Sequence, residues 1–381
     1  MTKLLTIGGM LLAVAAASAP GPGLTEGPRL AAAYDSILHA RFEEASTRLS
    51  EACPPAPAEA CLVLTAALIW WQIQLDPGSR ALDRDLESAS RRAIAATRQW
   101  VTREPNRAEA WFYVAGAYAP LSEWRILRGE RLAAARDARG IKNALERALA
   151  LDGTLHDAYF GIGLYHYYAD VAPTALKILR LLLLMPGGDR IEGLREMLQA
   201  RDRGVLLGGE ADYQMHWLYL WYEHDPARAL ELLQALDARY PSNPLFLQRI
   251  AEVHRDYRHD RAATLTAWQT LLERALTGRV ERAETAATLA RLGIAETLID
   301  SAEYTRALEA VAPVIAARPS APAGSYARAQ LTAARAYEPL GDRSRAIAAL
   351  NLAITLAPAD DPQAVRARAR AALARLRSAE R

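Results

Sequence analysis

One spacing recurs four times in this sequence and constrains its fold more than any other feature. An alanine precedes a proline by twelve residues in four pairs, which are Ala93 and Pro105, Ala229 and Pro241, Ala307 and Pro319, and Ala346 and Pro358. Small or apolar residues follow each alanine by four and seven positions, so all three side chains share one helix face. We expect the alanine where two helices cross most closely and the proline where the helix ends. The spacing therefore predicts stacked helical hairpins with these alanines buried.

The rest of the chain has the same helical character. Alanine-rich segments with apolar residues at helical spacing recur from Leu30 to the C-terminus, and prolines and glycines interrupt them every 12 to 20 residues. Almost no segment alternates β-branched and polar residues, so no strands are expected. A length of 381 residues suits an elongated array of repeats as well as two or three compact domains. The pattern predicts an all-α fold.

Three segments resemble the tetratricopeptide repeat, whose first helix reads W-x2-L-G-x2-Y and whose second helix carries A, F and P. Trp111–Tyr118 reads W-x2-V-A-x2-Y, Tyr159–Gly163 reads Y-x2-I-G, and Leu292–Gly293 repeats the central pair. The resemblance implies a right-handed α-solenoid of helical hairpins over residues 20–361. It also implies that the first helices of the hairpins line a concave groove.

Residues 164–212 depart from the repeat and form an expected irregular insert. Residues 159–190 combine a G-x-Y-x-Y-Y helix, an apolar run and a P-G-G-D-R turn. This combination is similar to bacterial exported tetratricopeptide proteins of unassigned function, and more distantly to eukaryotic ones linked to inclusion-body and lipid-droplet clearance. The apolar run, 171–185, is expected to be a buried helix or an interfacial, partner-facing one. Asp189 and Glu192 predict a capping box on the next helix.

The N-terminus predicts export. A short basic start precedes thirteen apolar residues, Leu4–Ala16, and small residues then fit cleavage after Ala17 or Ala19. Pro20 disfavours the second site. An uncleaved anchor is the alternative, but the run is shorter than the about 20 residues that span a bilayer. We therefore expect a signal peptide within 1–19 and a periplasmic or secreted protein.

The two cysteines agree with export. Cys53 and Cys61 flank the proline-rich segment 54–57, which cannot be helical throughout and allows a turn that brings the sulfurs together. In an oxidising compartment we expect a disulfide, and the alternative is a pair of buried thiols. A metal site is not expected, because no further cysteine or histidine lies nearby to complete a ligand set.

Composition and motifs argue against several function classes. A net charge of +2 does not suggest a nucleic-acid-binding protein. The sequence contains neither H-E-x-x-H nor G-x-S-x-G, and we find no catalytic constellation, so no enzyme activity and no cofactor are predicted. The arginine-rich segment 362–381 is expected to be a helix that caps the solenoid, with contact to an anionic membrane as the alternative.

The family resemblance also implies which side chains line the groove. Carried onto this chain, the groove positions include aromatic residues and an arginine, which suit an extended peptide or a helix. They are Phe160, Leu164, Tyr167, Tyr168, Trp221, Tyr222 and Arg255. The alternative is that the aromatic members are core residues between irregular helices.

The function predicted from these observations is that of an exported, non-enzymatic scaffold with a protein or peptide partner in its groove. Two alternatives stay open. One is a peripheral envelope protein that docks on lipid through 171–185 or through its basic tail. The other is a small-molecule carrier or an enzyme that uses an aromatic pocket around 159–190.

Overall fold

The computed structural model of the chain describes residues 23–171, 187–358, 361 and 364–378. Within these residues the chain forms seventeen α-helices and no strand, so the all-α prediction is confirmed. In chain order the helices are α1 (Gly27–Leu38), α2 (Phe42–Ala52), α3 (Ala58–Leu75), α4 (Asp83–Arg103), α5 (Ala108–Leu127), α6 (Arg131–Leu151), α7 (Ala158–Val171), α8 (Arg190–Arg203), α9 (Gly208–Trp221), α10 (Pro226–Arg239), α11 (Pro244–Asp256), α12 (Arg261–Leu276), α13 (Ala283–Asp300), α14 (Tyr304–Ala317), α15 (Ser325–Tyr337), α16 (Arg343–Leu356) and α17 (Val365–Ser378). The predicted signal peptide and most of the apolar run 171–185 lie outside the described residues.

The predicted seams between paired helices are present. Ala93, Ala229 and Ala346 are fully buried, and Ala307 is 1% exposed. In all four cases the proline lies two residues beyond the end of its helix, after α4, α10, α14 and α16. The residues four and seven positions after each alanine are buried as well. The spacing therefore identifies helices that bury a small alanine side chain and end two residues before a proline.

Glycines provide the closest helix contacts of the array. A Cβ added at Gly163 on α7 would lie 2.7 Å from the carbonyl oxygen of Gly193 on α8, and the reverse distance is 2.5 Å. A Cβ at Gly293 on α13 would lie 2.3 Å from the indole of Trp268 on α12. Because no side chain fits at these points, glycine is required there by packing and not by backbone conformation.

The disulfide prediction is confirmed. Cys53 and Cys61 form a disulfide with their Cα atoms 6.4 Å apart, which joins the end of α2 to the first turn of α3. Among the described helices, α3 is the one long and apolar enough to cross a membrane, but half of that window is buried inside the protein. Its ring-bearing residues Trp70 and Trp71 are almost fully buried, as in a core helix.

Helix α1 packs across the interior of the array against helices that are far away in sequence. At its start, the backbone nitrogen and the hydroxyl of Thr25 donate to the carboxylate of Glu109 on α5 at 2.8 and 2.9 Å. At its end, the amide of Asn243 donates to the carbonyl of Leu38 at 2.8 Å. The first helix therefore connects the start of α5 to the start of α11.

The two ends of the predicted insert and the C-terminal segment are regular helices. Asp189 caps α8 by accepting from the backbone nitrogens of Ile191 and Glu192, while the Glu192 side chain pairs with Arg195 instead of closing the box. Helix α17 buries one apolar stripe next to α16, Arg366 donates to the carbonyls of Ile354 and Ala357, and its other arginines are exposed. The assignment of residues 362–381 as a cap of the solenoid stays a prediction.

Candidate functional site

On one face of α9, the side chains of the first turns are in contact with other helices of the chain. Glu210 accepts hydrogen bonds from the hydroxyl of Tyr34 on α1 at 2.7 Å and from the indole of Trp71 on α3 at 3.0 Å. One turn later, the amide of Gln214 donates toward Glu123 on α5 at 3.5 Å. Helices α1, α3 and α5 therefore cover the first two turns of this face.

The same face carries two tryptophans beyond the covered part. Trp217 and Trp221 follow Gln214 by three and seven residues, so they project to the same side of α9. Their rings stack with centroids 4.5 Å apart and an interplanar angle of 26°. Trp221 is 49% exposed, which is unusual for the largest apolar side chain. The open end of this face thus presents a flat aromatic surface.

Arg249 on α11 adds a cationic group to this aromatic surface. The guanidinium carbon of Arg249 on α11 lies 5.1 Å from the centroid of the Trp217 ring, within cation–π range. Glu252 holds the guanidinium at 2.5 Å and also accepts from the amide of Gln248 at 3.0 Å. We name Trp221, Trp217 and Arg249 the tryptophan–arginine stack.

Ion pairs connect α11, the helix that carries Arg249, with α13 and α15. Arg328 on α15 donates to both oxygens of Glu296 on α13 at 2.6 Å, and Arg255 on α11 lies 4.0 Å from the same carboxylate. Burial opposes ionisation of Glu296, but Arg328 and Arg255 outweigh it and lower the pKa of this carboxyl. Arg255 also donates to Asp256 at 2.7 and 2.8 Å. Carboxylates thus hold these guanidinium groups in fixed positions beside the stack.

The residues predicted to line a groove fall into two sets. Trp221 belongs to the stack, and Arg255 lies one and a half turns beyond Arg249 on the same helix. Tyr222, next to Trp221, turns away from the stack and meets Tyr167 and Tyr168 of α7 with ring centroids 5.9 and 5.8 Å apart. Of the seven predicted residues, the structure thus places Trp221 in the stack and Arg255 farther along α11, where it pairs with Asp256 and Glu296.

The α7 members pack into the protein. Tyr167 is fully buried, and its hydroxyl donates to Glu223 at 2.6 Å, so the structure places this ring in the core and not in a groove. Phe160, Leu164 and Tyr168 are partly buried against the same cluster of methionines and leucines. The physical reason is that α8 packs directly on α7 through the glycine contact, and it covers the face that the repeat pattern assigned to the groove.

The structure brings together two carboxyl groups that the sequence pattern does not predict to be neighbours. Glu123 and Glu210 both contact the side-chain amide of Gln214, at 3.5 and 3.2 Å. Neither forms an ion pair in the described part of the chain. Burial, together with repulsion from Glu210, raises the pKa of Glu123 to about 8, and burial raises the pKa of Glu210 as well. The sequence feature that indicates such a buried carboxyl group is a glutamate inside an otherwise apolar helix, as Glu123 is in Pro-Leu-Ser-Glu-Trp.

The comparisons with known proteins support no annotation by sequence. No protein-family model and no curated protein matches this chain. Among solved structures it is similar to the anaphase-promoting-complex hetero-tetramer Cut9–Hcn1, with 14% identity, a TM-score of 0.48, and coverage of 89% of this chain but only 55% of that one. It is similar to yeast Tom70, with 12% identity, a TM-score of 0.45 and coverage of 92% and 82%.

A third structure is YrrB, described as a TPR protein with an unusual peptide-binding site. Identity to it is 17%, the TM-score is 0.28, and coverage is 70% of this chain and 94% of that one. These are likenesses in helical architecture at low identity. The geometry within this chain is more specific: buried alanines, glycine contacts and prolines just past the helix ends are the features of a tetratricopeptide-type helical repeat.

Proposed function

We propose that this protein is an exported, non-enzymatic scaffold that binds a peptide segment of a protein partner at the tryptophan–arginine stack. The observation that carries the proposal is the half-exposed Trp221 ring, which stacks on Trp217. A stacked indole is rigid, so a partner that covers it loses little conformational entropy from this surface. Partly exposed aromatic and arginine side chains dominate the energetics of protein interfaces.

The surroundings of the stack favour a polymer over a small molecule. Trp221 on α9 is 49% exposed, and Arg255 and Asp256 on α11 are 35% and 48% exposed, so a chain of several residues can contact both helices in succession. Arg249 and Arg255 keep their positions through Glu252 and Asp256. An extended peptide or one helix face fits such a row of apolar and polar contacts.

A selection from a random peptide library tests this proposal. The mature chain is immobilised, and bound peptides are recovered in parallel on the wild type, Trp221→Ala and the control Leu276→Ala. Leu276 is 64% exposed on α12, outside the stack, so its loss removes an equally accessible apolar group. We expect a common peptide motif on the wild type and the control but not on Trp221→Ala. Absence of any enriched motif on the wild type, or the same motif on all three proteins, contradicts the proposal.

Export is part of the proposal and has its own support. The apolar N-terminal run is typical of a signal peptide, and the disulfide between Cys53 and Cys61 is stable in oxidising compartments. Cell fractionation followed by N-terminal sequencing tests it. We expect the protein in the periplasm or medium, beginning at Ser18 or Pro20. Recovery of the uncleaved chain from the cytoplasm contradicts this location.

A further inference from the structure

Three large apolar side chains surround the turn between α5 and α6. Ile126 is 63% exposed, Leu127 is 40% exposed and Leu132 is 61% exposed. They lie within seven consecutive residues around this turn, and we name the three side chains the apolar tip. Burial of an apolar side chain of this size normally stabilises a protein. Three such side chains that stay exposed near one turn therefore indicate an interaction surface.

The turn that carries this tip is held in place. Arg128 donates to the carbonyls of Pro77 and Ser79 at 2.8 and 2.7 Å and to both oxygens of Asp83 at 2.9 and 2.7 Å. Gly129 adopts a positive φ of 83°, and a Cβ added there would meet nothing within 4 Å. Arg128 thus fixes the turn, and the space next to Gly129 is open.

Arginines lie directly behind the tip. On α6, Arg136 and Arg139 follow Leu132 by four and seven residues, so they share its outward stripe, opposite the buried Ala134. Arg131 precedes Leu132 at the first position of the helix. Within the described part of the chain, none of these three arginines forms an ion pair or a side-chain hydrogen bond. The turn also carries the half-exposed Glu130, which pairs with Arg125 at 3.8 Å. The surface therefore combines an apolar edge with three arginines that have no carboxylate partner in the described part of the chain.

We propose that this surface docks on an anionic phospholipid bilayer, with Ile126, Leu127 and Leu132 in the interface and the arginines on lipid phosphates. Exposed apolar side chains flanked by basic ones suit the boundary between head groups and acyl chains, where the apolar groups are buried and the arginines stay at the head groups. Guanidinium groups bind phosphate through two parallel hydrogen bonds and are attracted by the negative surface potential. No residue of this surface belongs to the tryptophan–arginine stack, so separate variants can test the two surfaces.

Flotation of the mature full-length chain with vesicles tests this inference. One vesicle set contains phosphatidylcholine alone, and the other contains phosphatidylcholine with about one third phosphatidylglycerol. We expect the wild type to float with the anionic set only, and added salt to release it because its charges are screened. Failure to float with anionic vesicles overturns the proposal, as does equal flotation with both sets. Binding to an acidic protein without vesicle binding also overturns it.

Variants assign any binding to this tip. The double variant Ile126→Asp and Leu132→Asp, and separately Arg136→Glu with Arg139→Glu, should reduce vesicle partitioning at least tenfold. Leu276→Asp is the matched control, because Leu276 is as exposed as Leu132, and it should partition like the wild type. Unchanged partitioning of both double variants contradicts the assignment.

A direct reading of insertion does not depend on how well these variants fold. A single added cysteine at Leu132, labelled with an environment-sensitive fluorophore, should shift to shorter wavelength with anionic vesicles. The same label at Leu276 should not shift. A shift at neither position, with the protein bound to vesicles, places the contact elsewhere and overturns the proposal. Trp221→Ala should leave vesicle binding unchanged, which separates this test from that of the peptide site.

Discussion

The hydroxyl of Tyr34 in the first helix donates a 2.7 Å hydrogen bond to the carboxyl of Glu210, 176 positions later in the chain. Trp71 donates to the same oxygen from α3. One buried carboxyl thus ties the N-terminal hairpin to the middle of the repeat array. The helices that this contact joins cover the first two turns of one face of α9. The tryptophans of the tryptophan–arginine stack lie farther along the same face, beyond the covered part.

The buried carboxyl pair predicts that stability depends on pH. The raised pKa values of Glu123 and Glu210 mean that the folded state holds protons that the unfolded chain releases above its ordinary value of 4.5. The free energy of unfolding should therefore fall as the pH rises from about 5 to 8. Because the Glu123 side chain keeps some contact with solvent, we expect a decrease of at least about 1 kcal/mol, well below the full effect of such a shift.

Thermal unfolding at pH 5.5 and 8.5 measures this effect. Glu123→Gln should flatten the dependence, because the neutral amide keeps the shape of the protonated carboxyl. Glu231→Gln, at a carboxylate that is 63% exposed, should keep the wild-type slope. Equal stability of the wild type at both pH values, or an unchanged slope in Glu123→Gln, would contradict the interpretation of the pair.

The seam alanines predict intolerance of larger side chains. Ala307→Leu on α14 should lower the free energy of unfolding by about 2 kcal/mol, because three extra carbon atoms enter a closed contact between helices. Ala312→Leu on the same helix is the matched control, since Ala312 is exposed and leucine has a similar helix propensity there. Urea denaturation of both variants decides the matter, and equal stabilities would refute the proposed seam.

The disulfide predicts a dependence on redox conditions. Replacing Cys53 and Cys61 by serine should reduce the free energy of unfolding by about 2 kcal/mol, since the bridge closes a short loop. A reducing agent should lower the melting temperature of the wild type to that of the double variant and should not affect the variant itself. A wild-type melting curve that is insensitive to reductant would argue against the bridge.

The ion pair between Glu296 and Arg328 predicts a large cost for removing one partner. Both side chains are about 15% exposed, so Glu296→Gln leaves a poorly solvated guanidinium without its counter-charge. We expect a loss of about 3 kcal/mol in the free energy of unfolding. Glu231→Gln breaks an exposed pair with Arg228 and should change stability by less than about 1 kcal/mol. Denaturant titrations that give equal values for the two variants would contradict this difference.

Local rules made the hairpins predictable from sequence. The interval between Ala307 and Pro319 reflects contacts within one helix and its immediate partner, and the turn between Cys53 and Cys61 is shorter still. Such features depend on side-chain size and backbone restrictions that the sequence states directly. The same holds for the N-cap at Asp189.

Longer-range features were not predictable in this way. The burial of Tyr167 depends on how α8 covers α7, and the position of α1 depends on the curvature accumulated over several hairpins. The contact between Glu123 and Gln214 joins helices that are far apart in sequence, so no periodicity reports it. The open end of the α9 face is likewise a result of which helices fill the interior, although Trp221 and Arg255 were already predicted to face a partner.

We propose above that a peptide partner covers the Trp221 ring. The most direct measurement is a titration of a library-selected peptide into the wild type and Trp221→Ala, with tryptophan fluorescence and calorimetry as readouts. We expect a change in the wild-type emission and a Kd for Trp221→Ala that is higher by about tenfold or more. The melting temperature of Trp221→Ala should stay within about 2 °C of the wild type, because the ring is half-exposed. Equal Kd values for the two proteins would contradict the claim.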